Sequence, residues 1–276
     1  MKIALLIISI SLIACSTKDK PAVGVSVSIP PLAYLVERIA DTTVAVNILV
    51  PETTSPETFE PTPRQLKEIS QSRIYISIGL IDFERELNKS ITKLSDSLQV
   101  VDLSDGVGVM AGSCSHADHA GHIHGIDPHT WLSPRLMRGF SQKIAAELCK
   151  IFPKNKELYN NNLKTLIGEI DSLDSYIISK KLKSFAIGHP SLTYFARDYG
   201  IEQFAIEVEG KEPSATQMRE IIDRLKKNNI KVIVYNRRLA PAAAETIARE
   251  TGTATFDFDP LARDWLINMY RVVDVL

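Results

Sequence analysis

The chain has 276 residues, with 32 Lys and Arg against 33 Asp and Glu, a formal net charge of −1. Apolar residues make up 45% and charged residues 24%, ordinary globular composition that excludes a disordered chain and a polytopic membrane protein. There is no basic excess to neutralise phosphates, so nucleic acid is not expected as a partner.

Residues 1–14 read as a signal peptide: Lys2 precedes an apolar run from Ile3 to Ala14 that is too short to span a bilayer, which takes about 20 residues. The run ends Leu12-Ile13-Ala14-Cys15 and turns polar at Ser16. This resembles a bacterial lipobox, which implies cleavage before Cys15, a lipid on that residue and a leader over 15–22. The body is then expected to be extracytoplasmic and held at a membrane surface. Of the two other cysteines, Cys149 lies in an apolar helical stretch and is expected as a buried, inert thiol. Cys114 sits beside a His cluster, and the sequence decides neither for nor against a Cys114–Cys149 disulfide.

From Val25 onward the pattern alternates strands and helices. Strands are expected at Val25–Ile29, Val44–Val50, Ile74–Ile78 and Gln99–Leu103, with helices at Pro31–Ile39, from Thr62-Pro63, and at Asp82–Leu94. Near-continuous apolar strands of this kind belong to parallel sheets covered on both faces. Lys154–Leu182 has apolar residues mostly three or four apart and no Pro, which predicts one long amphipathic helix of about 40 Å. A second series follows: strands at Phe185–Gly188, Phe204–Glu207, Lys231–Tyr235 and Thr253–Phe256. Its helices run from Ser191 to Gly200, from the Ser214-x-x-Gln217 capping box to Asn228, and over Pro241–Glu250 and Trp265–Val273. The fold class is therefore α/β: an N-terminal βα lobe over 23–152, a connecting helix over 153–182 and a C-terminal βα lobe over 183–276.

The chain's six His are not scattered. His116, His119, His122 and His124 crowd a Gly/Ala-rich loop, 116–124, that reads as a flexible chelator. His189 follows a strand, where open α/β sheets bind ligands. Glu57, His129 and Asp259 also lie in loops after strands, two candidates from each lobe. Their common placement points to a metal in the cleft between lobes, although each alone is also an ordinary turn residue. Imidazole and carboxylate donors suit zinc. The sequence has no H-E-x-x-H, no G-x-S-x-G and no phosphate-binding loop, so a hydrolase is disfavoured, as is an adhesin with a wide, ligand-poor cleft.

Five ordered segments carry a resemblance. They are Ser55-Pro56-Glu57-Thr58-Phe59-Glu60-Pro61-Thr62-Pro63, Asp127-Pro128-His129-Thr130-Trp131, His189-Pro190-Ser191-Leu192, Glu209-Gly210-Lys211-Glu212-Pro213-Ser214 and Asp259-Pro260-Leu261. Together with the His-rich insert they resemble the ZnuA/TroA-like metal-binding lipoproteins of bacterial ABC importers, over essentially the whole mature chain. The resemblance implies a two-lobed solute-binding protein, a monomer, with ligands at Glu57, His129, His189 and Asp259, a permease partner in the membrane and no enzymatic activity. One position departs from the pattern: the first segment usually carries Pro-His where this chain has Pro56-Glu57. Two His and two carboxylates form a harder set than three His, which keeps manganese and ferrous iron beside zinc as alternatives. Protonation of the imidazoles should weaken binding below about pH 6.

Overall fold

A computed structural model describes residues 23–91, 93, 95, 97–112, 125–208, 210–238 and 242–276. The signal and leader with Cys15, Cys114, Glu209 and the four loop histidines lie outside the described residues. Two four-stranded sheets, each wholly parallel, confirm the α/β reading. The first contains β1 (Val23–Val27), β2 (Ala45–Ile48), β3 (Ile74–Ser77) and β4 (Gln99–Asp102) in the order β2-β1-β3-β4. The second contains β5 (Ser184–Ile187), β6 (Glu202–Ala205), β7 (Val232–Tyr235) and β8 (Ala254–Asp257) in the order β6-β5-β7-β8. Both sheets thus share one winding, with a reversal of strand order beside their first strand, where such sheets hold ligands. The central β3 and β7 are buried at every residue, as continuous apolar strands require, whereas the edge strands β2 and β8 are partly open.

The helices are α1 (Pro30–Ala40), α2 (Pro63–Ser70), α3 (Asp82–Ile91), α4 (Pro134–Ile151), α5 (Lys156–Lys180), α6 (Thr193–Tyr199), α7 (Ala215–Lys227), α8 (Ala242–Thr251) and α9 (Trp265–Val275). Their ends follow local chemistry. Thr62 and Ser214 close capping boxes with Gln65 and Gln217, and Gly200 ends α6 at φ 65°, a backbone that costs glycine nothing.

The sequence points to helix α4 only as the helical stretch around Cys149, without bounds, and α4 changes the role of the long helix. Arg138 pairs with Asp171 and Arg135 with Asp174, each at 2.9 Å, and Cys149 Sγ lies 3.9 Å from the Lys156 carbonyl. These pairs run in opposite senses along the two helices, so α4 and α5 form an antiparallel hairpin about the short turn Pro153–Asn155. On its other side α5 meets α1: Arg38 Nη2 donates to Glu169 Oε1 at 2.7 Å and Asn162 Nδ2 to the Ile39 carbonyl at 3.0 Å. The expected connecting helix is thus one member of a helical layer. Its buried face is Tyr159, Leu166, Ile170, Leu173 and Ile177, while Leu158 and Ile178 are exposed. Cys149 is half-buried at the edge of this layer rather than buried as expected.

One apolar core runs through both lobes, from Val25, Leu35 and Ile76 through Ile144 and Leu166 to Phe185, Phe195, Trp265 and Met269. The two tryptophans bolt it together. Trp131 Nε1 donates to the Pro260 carbonyl at 2.8 Å, and Trp265 Nε1 donates to the Trp131 carbonyl at 2.7 Å.

Candidate metal centre

Each site residue stands just beyond a strand end or in a short turn. Glu57 occupies the 3-10 turn Pro56–Thr58 after β2, anchored by buried Pro56. His129 precedes the turn Thr130–Leu132 and is buried. Asp127 Oδ1 accepts both the backbone N–H and ring Nδ1–H of His129, each at 2.8 Å, which fixes the ring and turns Nε2 outward. His189 lies two residues past β5, beside the strand-order reversal. Its Nδ1 bonds Glu207 Oε2 at 2.8 Å and its Nε2 bonds Glu57 Oε1 at 3.2 Å. The His129 Nε2 stands 3.7 Å from the same Glu57 oxygen.

One ligand atom each from Glu57, His129 and His189 therefore falls within 4.8 Å of the others. Ligand atoms on a tetrahedral zinc are about 3.3 Å apart, given bonds of about 2.0–2.1 Å, so the spacing of this trio fits such an ion with little movement. The trio lines a cleft of about 490 Å³ between the lobes, together with Arg85, Arg238 and Asp259. Asp259 does not join the trio. Its Oδ1 accepts the Leu261 N–H at 2.9 Å, and its Oδ2 faces Arg238 Nη1 at 3.7 Å.

With this geometry in place, the relatives decide the family. Residues 25–276 match the family described as "Zinc-uptake complex component A periplasmic". The chain belongs to this family. It is 28% identical over 282 residues to the zinc-binding lipoprotein AdcA of Streptococcus pneumoniae, covering 94% of this chain and 55% of that one. It therefore spans about half the length of that relative. Against the high-affinity zinc uptake system protein ZnuA of Bacillus subtilis it is 29% identical over 238 residues, covering 82% and 74%. A crystal structure of ZnuA superposes with a TM-score of 0.80 at 34% identity, covering 91% of this chain and 96% of that one. The family is a solute-binding component of transport systems, and its setting is extracytoplasmic.

The two imidazole-backing carboxylates, Asp127 and Glu207, carry no assignment from the sequence. Their hydrogen bonds hold the rings of His129 and His189, the kind of second group that an imidazole needs in order to be presented to a metal. Electrostatics follow the contacts. Burial works to raise the Glu57 carboxyl, but the hydrogen bond from His189 and the charges of both imidazoles bring it down to about 2. Burial opposes charge on His189, yet the hydrogen bonds to Glu207 and Glu57 push it up to about 10. Asp127 is lowered, since the charge and hydrogen bonds of His129 outweigh its burial. Asp259 is raised, chiefly by burial, despite the Leu261 N–H and Arg238.

Proposed function

We propose that the chain is the metal-capturing receptor of an ABC importer, and that its cargo is zinc, held by Glu57, His129 and His189 with Asp259 drawn in as the fourth ligand. The observation that carries this reading is the convergence of three ligand atoms from both lobes within 4.8 Å. Two neutral imidazoles and two carboxylates offset the dication and fill a tetrahedral shell, which leaves no position for an activated water and makes the site a carrier rather than a catalyst. The cargo passes to a membrane permease. Cys15 anchors the receptor by lipid, the receptor is a monomer, and the His116–His124 loop captures metal without forming the ordered site.

The test is calorimetry on the mature protein, with zinc and manganese in competition. One tightly bound zinc per chain that manganese displaces poorly supports the reading. The Glu57→Ala and His189→Ala variants should each lose tight binding, while deletion of 116–124 should spare it. Absence of stoichiometric transition-metal binding overturns the proposal, and preference for manganese overturns its choice of cargo.

A further inference from the structure

The cleft carries a cation of its own. Arg238 lies just past β7, where its backbone N–H donates to Asn236 Oδ1 at 2.9 Å and turns the chain over the strand end. Its guanidinium reaches across the cleft. Nη1 donates to the Glu52 carbonyl at 3.4 Å, on the loop that leads to Glu57, and stands 3.7 Å from Asp259 Oδ2. It thereby touches both jaws and faces the one expected ligand that stands apart from the trio.

We infer that Arg238 sets the affinity of the site by competing with the metal for Asp259, an inference that rests on the receptor reading above. A guanidinium keeps its charge at every accessible pH, so an arriving dication always meets it. At 3.7 Å the pair is not a tight bidentate clasp, and the Arg238 side chain is 59% exposed, so it can swing into solvent. Glu57, His129 and His189 make the first capture. Asp259 then leaves Arg238 to complete the shell, and Arg238 takes it back when the metal departs. A receptor must release its cargo as well as bind it, and an internal cation lowers the cost of emptying the site.

The experiment is a chelator-competition titration of the full mature chain with zinc alone. Arg238→Gln should bind zinc roughly fivefold more tightly, the scale of one half-exposed charge pair. The gain should shrink with added salt. Arg238→Met, which keeps the apolar stem and loses the charge, should reproduce it if the Gln variant fails to fold. In an Asp259→Asn background the gain should vanish, because the contested carboxylate is gone. Unchanged or weaker zinc binding in folded charge-removal variants overturns the inference and leaves the receptor reading standing, as does a gain that persists in the Asp259→Asn background. Failure of the parent protein to bind zinc overturns both.

Discussion

His189 donates hydrogen bonds to two carboxylates at once, Glu207 at 2.8 Å and Glu57 at 3.2 Å, and this governs how the site answers to pH. A metal has to take the Nε2 that now faces Glu57, so binding releases a proton from a group pushed up to about 10. An unshifted imidazole would weaken binding only below about pH 6, as the sequence suggested. Here zinc affinity should instead keep climbing, about tenfold per pH unit between about pH 7 and 9, with about one proton released per ion. Calorimetry in buffers of different ionisation heat measures that release directly, and a flat affinity across the range contradicts it. The same pair acts on the chelated protein with the opposite sense. Because its folded value is raised, the His189 contribution to stability is whole below 6.5 and is lost as pH rises through about 10. The Glu57 value is depressed, so its contribution is present above 4.5 and is lost as pH falls through about 2. Thermal melts of chelated protein should thus show this pair stabilising most between 4.5 and 6.5, and the benefit should fade in Glu57→Gln. Glu57, His129 and His189 were legible because all three stand past strand ends, a position with functional meaning. Asp127 and Glu207 were not, because a carboxylate that backs an imidazole has no spacing rule of its own.

Strand register explains how Glu207 arrives. Strands β5 and β6 pair in parallel with Ile187 opposite Ala205, so two residues further along His189 comes level with Glu207, and the Glu207 N–H bonds the Gly188 carbonyl at 3.0 Å. The sequence placed this strand at Phe204–Glu207, two residues late, which hid Glu207 inside a strand instead of setting it beyond the end. Glu207→Gln keeps the shape and removes the charge that raises His189, so the climb of zinc affinity with pH should flatten. At the alkaline end, where the proton no longer competes, the less firmly oriented ring should bind zinc about tenfold more weakly, within the usual range for groups that support a ligand. An unchanged affinity there would mean that Glu207 does not orient the ring. The hairpin of α4 and α5 illustrates a different limit. Apolar spacing found the long helix but not which of its apolar residues face inward, since that depends on α1 and α4 packing against it from two sides. Leu166→Ala or Leu173→Ala should therefore cost about 2–5 kcal/mol in denaturant unfolding, and Ile178→Ala less than about 0.5 kcal/mol. Equal costs at the three positions would refute the assigned face.

The two βα series and the link between them could be read from the sequence, but the shared core could not, because it is made by residues from both lobes that no local pattern relates. Trp131 is a fully buried member of it. It follows the His129 loop, its ring lies 5.0 Å from the His129 ring, and its indole holds the Pro260 carbonyl, next to Asp259. Its own carbonyl accepts the Trp265 indole. Cleft residues of the two lobes, His129 and Asp259, are thus joined through Trp131, and a wide hinge motion would have to break that contact. Zinc binding should accordingly proceed without a resolvable change in the radius of gyration, about 18 Å for a compact chain of this size, when chelated and loaded protein are compared by X-ray scattering. A marked contraction would show that the brace opens. Trp131→Phe separates bracing from ligation, since it removes no donor to the metal. It leaves the Pro260 carbonyl without its partner and should cost about 1–3 kcal/mol in unfolding free energy. It should also weaken zinc binding, because His129 and Asp259 would no longer be referred to one another. Loss of stability with full zinc affinity would mean that the tryptophan holds the lobes together but does not set the geometry of the site.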